Sequence, residues 1–443
     1  MNFDSLRKNI LADIDKALII LLFFSLPFDK TPSFELFTVT IKASSVIGLL
    51  IILRVIYLII NKWISINYNF AYKVLAAFIV WIILLIPVSI NFNKSFEYVA
   101  FSTFVILMAI SISLIYKKEY NKSVVGAIFI SAIIVSVFGI IQYFADYYNL
   151  PNNFIGLSDL YTKKTFGFTR ITSFLLEPLY LASYMALPLS LSYSLLINKN
   201  IKYNYKKLAI LVLVFSFIIF MSLSRGGIYA SLVSVIFISI VTYFSKSIST
   251  KKLSLAIFLL ILSFIFSQIT VTIFNRDPSD FTQGKKGTSA YLDHVVDPQT
   301  DPLDTRTAAR ARAINEIKNN PSYLILGIGP GQYGPYVTAN KQIQGRWPSL
   351  NNLPLALSLE LGLVGLALVA VFTMYIIFVS AYRSFKEKDL LTKIFLVSLS
   401  GYLIAQGISY QTYSTLYIMH IWAVLGILMG LALNKRKKLV FKV

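Results

Sequence analysis

A chain of 443 residues that is 56% hydrophobic and only 14% charged, with a mean hydropathy of +0.70, is not a soluble globular protein. The absence of cysteine excludes disulfides and thiolate metal sites, and two histidines make a histidine-built metal site a poor expectation. A net charge of +21 could point to nucleic acid, but the basic residues cluster in short segments between apolar runs, so nucleic acid is not expected as a partner.

Those runs are about 17–25 residues long, enough to cross a hydrocarbon core of about 30 Å. The expected fold class is an all-α polytopic membrane protein with about twelve transmembrane helices. They are predicted near 17–28, 43–61, 74–90, 98–116, 124–145, 172–197, 208–223, 227–245, 253–274, 355–381, 390–409 and 414–433. The first run continues from Lys16 into a span without a small-residue cleavage site, so no cleavable signal peptide is expected. With this count, "KKEYNK", "NKNIKYNYKK", "KSISTKK", "RSFKEKD" and the tail "NKRKKLVFKV" fall on one side with both termini. That side is expected to be cytoplasmic. The opposite side receives two longer loops, about 146–171 and 275–352. The organisation expected is one integral membrane domain over 1–443, a large extracytoplasmic loop at 275–352 with short helices, and a basic cytoplasmic tail at 434–443. No internal repeat is visible.

The shorter loop leads into "GFTRITSFLLEP", which places Arg170 near Glu177 and Pro178 at the outer end of the next span. A carboxylate at a span is costly and often functional, and partial burial of Glu177 would raise its pKa toward that of a useful base. A structural carboxylate paired with an arginine is the other reading.

The next segment, 208–245, would be about 57 Å long as one helix, nearly twice the membrane core. A break is therefore expected, and Gly226-Gly227 in "FMSLSRGGIYASLVS" is where it costs least. It puts Arg225 at the outer face. One reading is a snorkelling anchor; the other is an anion site, a guanidinium beside a helix N-terminus with free N–H groups.

In the large loop, "TRTAARARAINEIKNN" reads as a helix stopped at Pro321. Arg306 and Arg310 share its apolar face with Ala313, Ile314 and Ile317, while Arg312 and Asn315 point away. Two elements that each bring arginine to one outer mouth suggest a phosphate or diphosphate ligand. The turn cluster "GIGPGQYGPY" formally fits G-x-G-x-x-G at 329–334, but lacks the strand–turn–helix context of a nucleotide site and reads as a tight turn. His294 and His420 read as solvated or structural. Tyr333 and Trp347 are candidates to stack on sugars.

Three motifs in order resemble the O-antigen ligase/polymerase superfamily. They are Ser-Arg-Gly-Gly between two spans, an outer-loop arginine about fifteen residues before a proline with a "GxGPGxY"-like turn, and "NNLPLALSLELGLVG". The last keeps the family spacing of Asn352, nine residues, Gly362, two residues and Gly365, but Asn351 stands where the ligases carry histidine. The resemblance covers roughly residues 165–380. It implies a GT-C-type glycosyltransferase working without metal or other cofactor at the outer face of the cytoplasmic (inner) membrane. Its substrates would be undecaprenyl-diphosphate-linked glycans, as in lipopolysaccharide or related polysaccharide biosynthesis.

Carried over by position, Arg225 and Arg306 would bind the donor diphosphate, with Arg310 and Arg170 as further ligands. Asn351 would occupy the ligase histidine position, and Asn352 would lie at the glycan. Glu177 is the first candidate general base and Glu360 the second; Gly362 and Gly365 read as helix-packing residues. The missing histidine favours a Wzy-type O-antigen polymerase over a ligase. A chain-length regulator protein is an open candidate partner. The reading of another class is a twelve-span transporter or flippase, against which stand the missing half-to-half repeat and the gathering of charged candidates at one face.

Overall fold

The structure is a computed structural model and describes residues 3–30, 33–36, 39–66, 68–163, 168–199, 201, 203–274, 305–342 and 347–433. The first part of the expected outer loop, 275–304 with His294, and the tail at 434–443 lie outside the described residues.

Helix α1 (Phe3–Ser25) leads into an antiparallel hairpin, β1 (Ser33–Leu36) and β2 (Val39–Lys42), with Ser33 opposite Lys42. Then follow α2 (Ala43–Ile60), α3 (Phe70–Leu84), α4 (Phe92–Ile115) and α5 (Asn121–Tyr147). A one-turn helix, α6 (Asn152–Ile155), sits in the next loop. The chain continues with α7 (Pro178–Ile197), α8 (Tyr205–Met221), α9 (Arg225–Phe244) and α10 (Thr250–Phe274). The described part of the next connection holds α11 (Thr305–Asn319), α12 (Tyr323–Leu326) and α13 (Tyr333–Val337). Helices α14 (Leu353–Lys386), α15 (Leu390–Ser409) and α16 (Met419–Ala432) complete it.

Every predicted span has a helix. Among the described residues nine of them, α2–α5, α7, α9, α10, α14 and α15, are long and apolar enough to cross a membrane. The other three are α1, α8 and α16. Helix α8 has 17 residues and α16 has 14, lengths of about 26 and 21 Å. Helix α16 is nevertheless almost wholly buried, packed on α4, α14 and α15.

Helix α7 lies at the centre, with nearly every residue buried, and packs on α8, α9 and α15. It is serine-rich for a span, and the hydroxyls of Ser183, Ser190 and Ser192 find partners, while that of Ser194 has none among the described residues. Ser190 Oγ bonds Ser234 Oγ of α9 at 2.7 Å, and Ser131 Oγ of α5 bonds Tyr184 Oη at 2.8 Å. Small residues let the backbones approach, and satisfied hydroxyls avoid the cost of bare polar groups in hydrocarbon.

The loops divide into two sets. On one face Asn198 bridges Ile248, Lys252 Nζ donates to Asn198 O at 2.9 Å, and Lys393 Nζ donates to Ser247 Oγ at 2.8 Å. This gathers lysine-rich connections, as the twelve-helix reading requires. On the opposite face, Lys30 Nζ meets Gly156 O at 2.7 Å and Asn91 N donates to Gln332 Oε1 at 2.8 Å. The second face, called the mouth below, carries the candidate site.

Candidate functional site at the mouth

The break between α8 and α9 comes three residues earlier than the glycines suggest. Leu223 takes the left-handed conformation (φ +53°), Ser224 is the N-cap, and Arg225 is the first residue of α9. Gly226 and Gly227 lie inside the first turn and serve close packing instead. A Cβ at Gly227 would come within 2.2 Å of Ala182 Cβ, and one at Gly226 within 2.6 Å of Thr412 Oγ1. Nor is the Gly227 N–H free, since Ser224 Oγ accepts from it at 3.4 Å. Arg225 is half-buried in the first turn of α9.

Arg170 reaches the same break. Its loop is pinned to α5 on both sides: Thr169 Oγ1 donates to Asp146 Oδ2 at 2.5 Å, and Thr172 N donates to Gln142 Oε1 at 2.8 Å. Between these anchors the Arg170 guanidinium lies 5.9 Å from the Tyr161 ring centroid and donates from Nη2 to Leu223 O at 3.3 Å. Arg170 and Arg225 thus flank one break. Glu177, expected to be partly buried, is exposed as the N-cap residue of α7. The reason is positional: α7 starts at Pro178, so its carboxylate stands outside the packed helix.

Helix α11 spans the predicted residues, and Arg306 lies in its first turn, though the side chain is outside the described residues. Ala309, Ala313 and Ile317 face inward, and Arg312 and Asn315 are exposed as expected. Ile314, expected on the buried face, is exposed, because the docking stripe of this short helix is narrow. Arg310 points in. Its Nη2 donates to Gln411 O at 2.5 Å and to Asn351 O at 3.4 Å, while its buried Nε has no hydrogen-bond partner among the described residues.

Asn351 sits in a left-handed turn (φ +51°), a conformation asparagine adopts readily, and its Oδ1 accepts from Ser349 Oγ at 2.9 Å. Asn352 caps α14, with Oδ1 accepting from Leu355 N at 3.0 Å and Nδ2 donating to Gln411 Oε1 at 3.1 Å. The connector between α15 and α16 therefore ties the parts together. Gln411 meets Arg310 and Asn352, and Thr412 packs on Gly226 beside Arg225.

Glu360 has a different setting. It is buried, and its two oxygens accept from Tyr333 N at 2.9 Å and Gly331 N at 3.2 Å. Gly362 is not simply a packing residue: at φ +68° it breaks α14. The break leaves Leu359 O and Glu360 O to accept from Ile328 N at 2.9 Å and Gly329 N at 3.0 Å. The turn "GIGPGQY" is thereby docked onto the broken helix, and Gln332 clamps it to α4 through Asn91 and Ser95. Tyr333, expected to offer a face to sugars, is buried in the small core beneath this turn with Ala313, Leu350 and Leu359. That burial pushes its phenol pKa up. Trp347 packs against Gly334 and stays half-buried.

The structure thus brings Arg170, Arg225, Arg310, Asn351 and Asn352 around one mouth, and puts Glu360 beneath the turn. Sequence reasoning missed the polar cluster under the α15–α16 connector. There Gln406 Oε1 accepts from Ser183 Oγ at 2.6 Å and Tyr413 Oη at 3.0 Å, with His420 Nε2 3.3 Å from Ser183 Oγ. A glutamine within a span was the available signal. Among the described residues no group of three or more His, Asp or Glu could hold a metal ion.

Residues 209–370 match the family model described as O-antigen ligase. The matched stretch runs from α8 into α14 and includes Arg225, Arg306, Arg310, Asn351 and Glu360; Arg170 and the α15–α16 connector lie outside it. No curated protein matches the chain. Residues 209–370 of this all-α polytopic membrane protein are thus similar to the O-antigen ligase family.

Proposed function

We propose that the protein is a polymerase of undecaprenyl-diphosphate-linked oligosaccharide repeat units, working at the extracytoplasmic face of the cytoplasmic membrane. The observation that carries this reading is the convergence of Arg170, Arg225 and Arg310 on one mouth built largely from the family-matched stretch. An acceptor sugar hydroxyl attacks the anomeric carbon of the donor glycan. The new carbon–oxygen bond forms as the bond to the diphosphate breaks, and undecaprenyl diphosphate leaves with the bonding pair. The arginines meet the charge that builds on the leaving group, where fixed guanidinium donors act most strongly in a site shielded from water. Glu177, exposed at the N-cap of α7, takes the hydroxyl proton and passes it to solvent. Arg306, one turn before Arg310 on α11, is assigned to the same diphosphate.

Asn351 in place of the ligase histidine favours polymerisation. Transfer of a finished glycan to another acceptor, the ligase reaction, is the second reading, favoured by the description of the matched family. Glycan gels from a deletion strain complemented with the wild-type chain decide between them. Loss of the enzyme that leaves single repeat units on the carrier is the expected result. Long chains accumulating on undecaprenyl diphosphate would establish the ligase reading instead.

A further inference from the structure

The connector between α15 and α16, residues 410–418, reads YQTYSTLYI: three aromatic rings, one amide and three hydroxyls from Ser and Thr, with no charge. It is held rigidly. Leu353 N donates to Tyr410 O at 2.8 Å, Tyr413 Oη to Gln406 Oε1 at 3.0 Å, and Trp422 Nε1 to Leu416 O at 2.8 Å. Tyr413 and Leu416 are buried as anchors. Gln411 is exposed, and Thr415 and Tyr417 are half-buried.

Two further rings extend this surface. Tyr180, one turn into α7 from Glu177, lies edge-on to Tyr413 at 5.7 Å, and Phe101 of α4 stacks on Tyr417 at 5.4 Å. Gln411 spends its carbonyl oxygens on Asn352 and Arg310, which leaves its amide N–H groups as donors.

Aromatic faces beside fixed amide and hydroxyl groups suit a pyranose ring, which has an apolar C–H face and a polar rim. A connector already held in place also lowers the ordering cost of binding. We propose that residues 410–418, with Tyr180, form the acceptor-sugar subsite: a ring packs on Tyr417 and Tyr180, and its hydroxyls bond Gln411 and Thr415. The assignment rests on the glycosyl-transfer reading above. The acceptor rather than the donor is placed here because the connector begins at the arginines, with Thr412 against Gly226, and leads away from them to α4 at Tyr417. A sugar on that stretch stands beside the donor's reacting carbon, with Glu177 nearby to receive the proton.

The test uses full-length protein in lipid nanodiscs and two probes from a strain lacking the enzyme. One is the lipid-linked repeat unit; the other is the same oligosaccharide freed of its diphosphate by mild acid. Saturation-transfer NMR reports which sugar protons touch the protein. The free oligosaccharide is expected to bind the wild type, about tenfold more weakly to Tyr417→Ala, and normally to Tyr417→Phe. Gln411→Ala, at an exposed position, should weaken it as well and covers the case in which Tyr417→Ala fails to fold. The lipid-linked probe should lose affinity in Arg225→Ala.

Failure of the free oligosaccharide to bind the wild type would overturn the subsite. So would equal binding to wild type, Tyr417→Ala and Gln411→Ala, even where the lipid-linked probe still depends on Arg225. The transferase reading fails separately, if the lipid-linked probe ignores Arg225→Ala.

Discussion

Arg310 and Arg225 were visible in the sequence because a charge among apolar residues demands a reason. Their surroundings were not, since Gln411, which meets Arg310, and Thr412, which packs on Gly226 beside Arg225, sit about 100 and 190 positions away in a connector with no charge of its own. Arg225→Ala and Arg310→Ala should each lower transfer about 100-fold or more, with expression unchanged, read as loss of the glycan ladder on gels. Arg310→Lys should recover only part, because an ammonium that takes the place of Nη2 on Gln411 O and Asn351 O leaves no second planar nitrogen to meet the diphosphate. Lys30 carries a pH prediction. Burial pushes its pKa down from 10.5 to about 8 while it donates to Gly156 O and Thr172 Oγ1. Between pH 8 and 10.5 the unfolded chain holds more protons, so stability should rise with pH across that window. Thermal melts in nanodiscs would show it, and Lys30→Met should flatten the slope.

At the scale of elements, the helices follow from apolar run length, but their breaks do not. Gly226-Gly227 looked like the cheapest hinge, yet packing against Ala182 and Thr412 uses the missing Cβ atoms there, and the break moves to Ser222–Ser224. Gly362 looked like a packing glycine, yet it is the hinge. A Cβ there would come within 2.1 Å of Ile325 O in a left-handed backbone, so Gly362→Ala should cost at least about 2 kcal/mol. A fall in melting temperature with release of the outer turn would be the sign. Glu360→Gln replaces an acceptor of two backbone N–H groups with an amide that must present a donor to one of them. The outer turn should loosen by about 1.5–3 kcal/mol, seen as faster proteolytic cleavage near 329–334. Loss of transfer with an intact turn would instead argue for Glu360 as a reacting group.

For the whole molecule, the two sets of loops make an orientation test direct. The chain has no cysteine, so single cysteines can be added without background. Ser349→Cys at the mouth should react with an impermeant maleimide in intact cells, and Lys388→Cys on the lysine-rich face only after lysis. The reverse pattern would place the arginines in the cytoplasm and remove the basis for a lipid-delivered donor at the outer surface.

By itself the sequence determined that the chain is a helical membrane protein, where its spans run, and which arginines lacked an ordinary reason to be there. Apolar run length and stray charge are local properties, and the bilayer enforces them one segment at a time. The tertiary structure decided which neighbours Arg170 and Arg310 meet, where α8–α9 and α14 break, that Tyr333 is core, and that residues 410–418 touch both α9 and α14. Those outcomes depend on contacts between residues far apart in the chain. Uncharged connector side chains such as Gln411 and Thr412 leave no local trace of the partners they will meet.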